Sequence, residues 1–335
     1  MEKRRASEFR KTCRPDYILK EELRLMDESR MRRRYHSLEE MIQDNYGSSV
    51  FIIRTDSVRG GDINNAYRMS LSDGTYLFVK TNSVNNLNFF LTESGGLGAL
   101  RSLNKVGVPE VLGAGTDEQR DISFLALEYI ESSPRTPSYW ENFGHQLAAL
   151  HRAECLSYVD PERSEARFGF YEDNYIGATP QKNQPKKNWI DFYRECRLLP
   201  QITMAEKYLE PAARKKADWL LDHLDLYLRE PGFPSLLHGD LWSGNMMCGK
   251  GGVPWIIDPA AYVGDFEADL AMTQLFGSLP ERFYAAYNEV NPVDKAGYAQ
   301  RKNLYHLYQL LNHLNLFGSM YLGSVVDIIN MYAGV

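Results

Sequence analysis

The sequence predicts an α+β chain folded as two lobes, a small N-terminal lobe with an antiparallel sheet plus a helix and a larger, mostly helical C-terminal lobe. Three observations carry this expectation. Strand-like runs with a strong turn signal are confined to residues 50–130. From residue 138 the pattern turns helical, broken by two short apolar pieces, Leu236-Leu237 and Trp255-Ile256-Ile257. Ser132-Ser133-Pro134 separates the two regimes and marks a linker near 131–137.

Residues 16–44 read as helix, with Leu, Met and Ile scattered among charges. Ser37-Leu38-Glu39-Glu40 fits a capping box that starts a second helical piece, and Gly47 ends it. Val50-Phe51-Ile52-Ile53 has the β-branched and aromatic character of a strand. Residues 65–70 and 75–80 flank Ser72-Asp73-Gly74, a hairpin signal. Residues 86–105 read as helix, Val111-Leu112 open a strand, and Ser123–Ile130 reads as a buried one. That makes a small lobe of two to five strands with one helix. Residues 138–153 read as a helix ending near His151. Residues 167–188, rich in Gly, Asn, Pro and Gln, predict a long ordered loop or lid. Residues 189–230 give two helices and 298–333 two more. The resulting division is a basic, helical extension at 1–36, an N-lobe at 37–131 and a C-lobe at 132–335.

The composition of the 335 residues, 44% hydrophobic and 24% charged, is that of a globular chain of about two domains. It excludes disordered, collagen-like and coiled-coil classes. No apolar run approaches the roughly 18 residues of a membrane span, and no apolar stretch follows Met1-Glu2-Lys3-Arg4-Arg5, so neither a membrane partner nor a secretory signal is expected. Cys13, Cys155, Cys196 and Cys248 are widely spaced without a CxxC pair, which suits a reducing cytoplasm. A net charge of −6 gives no reason to expect nucleic acid as a partner. Residues 1–36 hold 12 Lys/Arg and 7 Asp/Glu, a net of +5, which leaves −11 on the rest. This arm reads either as a solvated extension or as a segment that docks on the acidic body or on a partner.

The chemistry concentrates in Leu237-His238-Gly239-Asp240-Leu241-Trp242-Ser243-Gly244-Asn245, followed by Ile256-Ile257-Asp258-Pro259. Asp240 and Asn245 sit on a loop after one short apolar strand, and Asp258 ends a second. Phosphoryl transfer needs this set: one carboxylate to orient and deprotonate the accepting hydroxyl, and an amide oxygen with a second carboxylate to hold Mg²⁺ on the phosphates. Protein kinases carry the same residue types in the same order, H-R-D-L-x-x-x-N and then D-F-G. Here Gly239 replaces the Arg, and Asp258-Pro259-Ala260 replaces Asp-Phe-Gly. Upstream, Lys80 ends a strand where it would reach ATP phosphates, and Glu93 on the next helix could pair with it. Gly60 and Gly61 permit a tight turn whose N–H groups approach phosphate oxygens, although Gly-Gly alone also marks a plain hairpin. Glu128, Tyr129 and Ile130 end the last N-lobe strand, where an adenine would bond the backbone.

On these motifs the chain resembles the fructosamine kinase (ketosamine 3-kinase) family, a branch of the aminoglycoside-phosphotransferase-like and protein-kinase-like superfamily. The resemblance covers about residues 37–335. His238 through Asn245 match the family's HGDLWSGN, and Asp258-Pro259-Ala260 with Gly264 through Met272 match its DPA…GDxExDLAM run. Asn142 through His151 resemble its first large-lobe helix. Phe168-Gly169-Phe170, Asp173-Asn174-Tyr175-Ile176-Gly177 and Thr179-Pro180-Gln181 resemble its FGF…DNxIG…TPQ loop. Trp189 through Gln201, with Phe192, Tyr193, Glu195 and Arg197, look like its W-x-x-F-(F/Y)-x-E-x-R-L-x-x-Q stretch. The resemblance implies a two-lobed protein-kinase-like fold and an ATP-dependent kinase of the 3-hydroxyl of ketosamines, linked to deglycation of amines or proteins. It implies Asp240 as proton acceptor, Asn245 and Asp258 as Mg²⁺ ligands, Lys80 with Glu93 as phosphate holders, and 128–130 as the adenine site.

A sugar acceptor needs stacking area and fixed hydrogen bonds. Trp242, beside Asp240, reads equally as one wall of that site or as core packing. Asp173, Asn174, Thr179 and Gln181 could supply polar contacts, or their loop could be a self-packed cover over the large lobe. His238 reads as structural, and Asp269 as a residue that stiffens the catalytic loop by accepting its N–H groups. Some family members carry Gly-Gly-Cys and an associated redox disulfide dimer where this chain has Gly60-Gly61-Asp62, so that switch is not expected. Competing readings are a same-fold kinase for an aminoglycoside, choline or another sugar, and a nucleotide-binding pseudokinase. The second is disfavoured because Lys80, Glu93, Asp240, Asn245 and Asp258 are all present. Monomer and homodimer are both left open.

Overall fold

The computed structural model describes residues 33–58, 63–159 and 165–333. The helix read over 16–32 and the turn at Gly60-Gly61-Asp62 lie outside the described residues. The first described element is a strand, β1 (Arg34–Tyr35), where helix was expected. It pairs in parallel with β5 (Val111–Asp117), Arg34 opposite Ala114 and Tyr35 opposite Gly115. The cause is the absence of side chains at Gly113 and Gly115 of β5. A Cβ at Gly115 would lie 2.0 Å from the Tyr35 carbonyl oxygen, and one at Gly113 2.5 Å from the Tyr35 ring. Glycine in a strand here permits a close backbone approach, and the N-lobe sheet therefore begins at Arg34.

Helix α1 (Leu38–Tyr46) is capped as expected, with the Ser37 hydroxyl accepting the Glu40 N–H at 3.0 Å. The Glu40 carboxylate reaches back to the His36 N–H at 2.7 Å, one residue earlier than a standard capping box. Strands β2 (Ile52–Val58), β3 (Asn65–Leu71), β4 (Tyr76–Ser83) and β6 (Ile122–Glu128) complete a six-stranded sheet of order β1-β5-β6-β4-β3-β2, antiparallel except at β1. Helix α2 (Leu87–Ser102) follows β4. Strand alternation splits the sheet's side chains between two cores. Leu77, Val79, Phe124 and Ala126 pack with Leu38, Met41 and Ile42 of α1, whereas Leu125 and Leu127 join Phe90, Leu97 and Leu100 of α2.

The chain crosses to the C-lobe and forms α3 (Tyr139–His151). Within 167–188 lies a hairpin, β7 (Asn174–Ile176) with β8 (Thr179–Gln181), and Gly169 bridges to Val263. This stretch is an ordered cover and not an open lid. Helices α4 (Trp189–Tyr193) and α5 (Leu199–Ala205) run continuously through a π-helical segment, Arg194–Leu198, and α6 (Pro211–Asp222) follows. Four short strands come next: β9 (Ser235–Leu237), β10 (Met246–Gly249), β11 (Val253–Ile256) and β12 (Tyr262–Gly264), pairing β10 with β11 and β9 with β12. Strands β10 and β12 were not expected from sequence. Helices α7 (Glu267–Leu275), α8 (Glu281–Val290), α9 (Lys295–Phe317) and α10 (Leu322–Tyr332) complete the lobe. Among the described residues no helix is long and apolar enough to cross a membrane.

The seating of β1 gives a stability test. Gly115→Ala should lower folding stability by about 1–3 kcal/mol, because neither backbone can give way. Urea unfolding of the two proteins measures this, and an unchanged midpoint would place Tyr35 elsewhere.

Candidate active site

Because Leu77 and Val79 point into the core under α1, Lys80 points to the opposite face of β4. There its Nζ lies 2.7 Å from Glu93 Oε1 and 2.7 Å from Asp258 Oδ1. Glu93 rides on α2, whose Gly95, Gly96 and Gly98 would weaken an isolated helix. The packing bears on two of them: a Cβ on Gly95 would clash with the Tyr171 hydroxyl and the Glu172 carboxylate, and one on Gly96 would lie 3.2 Å from the Ala261 Cβ and 3.6 Å from Pro259. The small residue at Gly96 lets the turn after Asp258 close on the helix that carries Glu93. Burial alone would lower the Lys80 pKa, but the carboxylates of Asp258 and Glu93 outweigh it and raise it. Burial raises the Glu93 pKa, with Lys80 opposing.

The catalytic loop starts where β9 ends. Gly239 has φ +83°, and a Cβ there would lie 2.1 Å from the Ala260 carbonyl oxygen. This crossing of the two loops accounts for Gly in place of the protein-kinase Arg. The Ala260 N–H donates to His238 O at 2.9 Å. The buried His238 ring ties both loops together, Nε2 donating to Ile257 O at 2.8 Å and Nδ1 accepting the Asp240 N–H at 3.2 Å. Burial lowers its pKa, in keeping with this neutral tautomer. Asn245 Nδ2 donates to Asp240 O at 2.8 Å and to Asp240 Oδ2 at 3.0 Å, which leaves the Asn245 amide oxygen as the donor atom for a cation. Burial pushes the Asp240 carboxyl up to about 7, against the pull of the Asn245 hydrogen bond. Asp258 takes φ +56°, a left-handed conformation that Asp tolerates better than most residues. Its carboxylate is 42% exposed and so open to the cleft.

A family model described as fructosamine kinase matches residues 34–333. The chain belongs to the fructosamine kinase family. It is 39% identical over 292 residues to a probable ketoamine kinase of Synechocystis, spanning 86% of this chain and 92% of that one. It is 38% identical over 288 residues to the chloroplastic protein-ribulosamine 3-kinase of Arabidopsis thaliana, spanning 85% and 84%. A crystal structure of a Thermobifida fusca protein provisionally assigned as a fructosamine-3-kinase superposes with a TM-score of 0.74 at 36% identity, covering 89% of this chain and 99% of that one. As a member of this family the chain has the two-lobed protein-kinase-like fold and is an ATP- and Mg²⁺-dependent phosphotransferase.

The donor chemistry of the site fits such an ion. An amide oxygen on Asn245 and a carboxylate on Asp258 are hard donors, and Mg²⁺ prefers one or two protein oxygens plus water and phosphates to a full protein cage. Among the described residues no group of three or more His, Cys, Asp or Glu could hold a metal alone.

The other expected residues are placed as follows. The β4–β6 ladder ends at the Leu77–Glu128 pair, so Tyr129 and Ile130 lie beyond the sheet, at the passage between lobes. The Glu128 carboxylate accepts the Glu110 N–H at 3.1 Å. Trp242 is 38% exposed and lies over Gly244, where a Cβ would meet its ring at 2.4 Å. Of the two readings of Trp242, exposure favours the wall. Asn174 and Gln181 do not line open space. Asn174 Nδ2 donates to Ala261 O at 2.8 Å, and Gln181 Nε2 donates to Ala260 O at 3.1 Å and Asn174 Oδ1 at 2.8 Å. Thr179 is buried as well, and Asp173 accepts the Asn183 N–H at 2.6 Å. Asn174 and Gln181, expected as substrate contacts, are buried amides whose partners are the Ala260 and Ala261 carbonyls, each other, Asn183 and Tyr308, and they grip the turn after Asp258.

Several supports of the family's site were not singled out from sequence. Tyr308 on α9 donates to Gln181 Oε1 at 2.6 Å, and Gln309 Nε2 donates to Gly239 O at 3.0 Å. Both lie on a buried, mixed stretch of α9 in which His306, Gln309 and Asn312 are polar side chains among leucines, which is the signal that could have found them. Arg197, quoted only as part of a motif, is fully buried in the π-helical segment. It donates to Lys182 O and Asn183 Oδ1 and lies 3.9 Å from the centre of the Tyr262 ring. Asp269 does what its position suggested. Its carboxylate accepts the His238 N–H at 2.7 Å and the Gly239 N–H at 2.9 Å, and His151 donates to it at 3.2 Å, held in turn by Tyr287 at 2.8 Å.

Burial opposes ionisation of Asp269, but His151, His238 and the Gly239 N–H outweigh it and lower its pKa below 3.8. The stability it contributes is therefore complete above 3.8 and lost as pH falls through the lower folded value. Asp269→Asn should cost about 3 kcal/mol at pH 7. Urea midpoints should converge for wild type and variant as pH drops below 3.8. A gap constant with pH would refute the ionised, buried role.

Proposed function

We propose that the chain phosphorylates the 3-hydroxyl of ketosamines, the fructosamine and ribulosamine adducts of amines, and so contributes to deglycation. The observation that carries this reading is the meeting of Asp240, Asn245, Asp258, Lys80 and Glu93 at one cleft. The names of the relatives, ketoamine kinase and protein-ribulosamine 3-kinase, supply the acceptor class. Asp240 orients the acceptor hydroxyl and receives its proton as the hydroxyl oxygen bonds the γ-phosphorus and the β–γ bridging oxygen departs with ADP. A carboxyl poised near neutrality suits that exchange. Asn245, hydrogen-bonded to Asp240, keeps the base in position. Asn245 and Asp258 would hold Mg²⁺, which when bound would neutralise phosphate charge. Lys80, fixed by Glu93, presents a compact cation to the ATP phosphates. Gly60 and Gly61 are read from the sequence alone as the phosphate turn, and the backbone of Glu128, Tyr129 and Ile130 receives adenine. Trp242 offers its exposed face to the ketose, and Asp173 lies at the margin of the hairpin that braces the site. Asn174 and Gln181 act as positioning residues for Asp258. The free, buried thiols of Cys155, Cys196 and Cys248 suit a reducing compartment, and we place the reaction in the cytoplasm.

The deciding assay is ADP release from Mg-ATP with a fructosyl-amine, a ribulosyl-amine, free fructose, an aminoglycoside and choline. Turnover confined to the two ketosamines is expected, and turnover only on the others would move the chain to another small-molecule kinase reaction. Asp240→Asn should lower turnover by at least about 10²-fold with ATP affinity retained. Removal of Mg²⁺ by chelation should abolish ADP release, and added Mg²⁺ should restore it.

A further inference from the structure

Five rings leave the catalytic loop in a continuous series. Trp242, two residues beyond Asp240, meets Phe276 edge-on at 6.2 Å, and Phe276 meets His313 at 4.9 Å. His313 in turn meets Phe317 at 5.5 Å and Tyr321 at 5.1 Å. These residues come from the catalytic loop, the turn after α7, and the end of α9 with the turn beyond it. Phe276 and Phe317 are 43% and 48% exposed, and Met320, next to Tyr321 in sequence, is 77% exposed. A lone exposed phenylalanine calls for no explanation, whereas a contiguous exposed strip does.

Besides Trp242 itself, Gln309 ties the strip to the catalytic loop. Gln309 grips Gly239 O with its side chain at 3.0 Å, and its own carbonyl oxygen accepts from His313 Nδ1 at 2.8 Å. A carbonyl can only accept, so Nδ1 carries the proton and Nε2 is left as an acceptor.

We propose that this strip docks the polypeptide part of a protein-bound ketosamine, leading away from the sugar at Trp242. The proposal rests on the ketosamine-kinase reading above. Three features select a peptide as the occupant. The strip is continuous with the acceptor site at Trp242. Each step between rings exceeds the ~3.3–3.6 Å of one extended residue, so the run from Trp242 to Phe317 outreaches a single sugar and matches about five residues of chain. Its composition, aromatic rings with a methionine and no charge, is that of the centre of a protein-recognition surface, and His313 Nε2 adds an acceptor for an N–H donor.

The test compares two substrates on the full-length enzyme: a ketosamine on the ε-amine of Nα-acetyl-lysine, and the same ketosamine at the centre of a nine-residue peptide with apolar flanks. Phe276→Ala and Phe317→Ala should each raise KM for the peptide by on the order of tenfold, leaving kcat and the constants for the small substrate within about twofold. Met320→Ser, at the most exposed position, gives a second variant with little bearing on folding, and should weaken the peptide alone. Equal losses for both substrates, or no loss for either, would overturn the proposal. Wild-type enzyme that phosphorylates only the small substrate overturns it while sparing the ketosamine reading, and enzyme that phosphorylates neither overturns that reading as well. A dimer in light scattering that dissociates on Phe317→Ala would assign the strip to a second copy of the chain and overturn peptide docking.

Discussion

The buried ammonium of Lys80 between Glu93 and Asp258 is the interaction on which the rest depends. It joins strand β4 and the helix that follows it, α2, to the turn after β11, whose Asp258 is 178 residues from Lys80. Desolvating such charges is unfavourable, and only close pairing offsets it. One cation against two carboxylates leaves a formal negative charge facing the cleft through the exposed side of Asp258. The same arrangement that stabilises the lobe junction is therefore chemically prepared for a divalent cation. Structural and catalytic demands fall on one set of atoms.

Around that centre, the catalytic loop is held from three sides by groups that never meet substrate. Asp269 takes the N–H groups of His238 and Gly239, Gln309 takes the Gly239 carbonyl, and His238 binds the strand end before Asp258. The hairpin of Asn174 and Gln181 takes the carbonyls of Ala260 and Ala261. Each bond satisfies a backbone group that the irregular loops would otherwise leave unpaired in a dry interior. The cost of building a site on loops is thereby met by polar side chains from distant helices.

Legibility in the sequence followed the range of the interactions. The two-lobed plan, the hairpin at Ser72-Asp73-Gly74, the capped helix after Ser37 and the Asp240–Asn245–Asp258 set depend on neighbours in sequence or on strongly patterned motifs, and all were readable. Strand β1 was not, because its pairing is dictated by Gly113 and Gly115, nearly eighty residues away. Strands β10 and β12 are too short to show a period. Asn174 and Gln181 looked like substrate contacts because sequence shows a polar loop without showing which side is covered. Arg197, Tyr308 and Gln309 have partners set only by tertiary packing.

The crossing of Gly239 beneath the Ala260 carbonyl has a dynamic consequence. With no space for even a methyl group between them, the loop of the base and the loop of the metal ligand cannot slide past one another. Asp240, Asn245 and Asp258 therefore travel as one rigid block. If the cleft opens to admit nucleotide, the parting surface falls between this block and Lys80 with Glu93. Such a parting breaks the Lys80–Asp258 ion pair together with the packing of Gly96 on Ala261 and Pro259 and the hydrogen bonds of Gly107 to Pro254 and Ile256, while the geometry that performs the chemistry is kept intact from one turnover to the next.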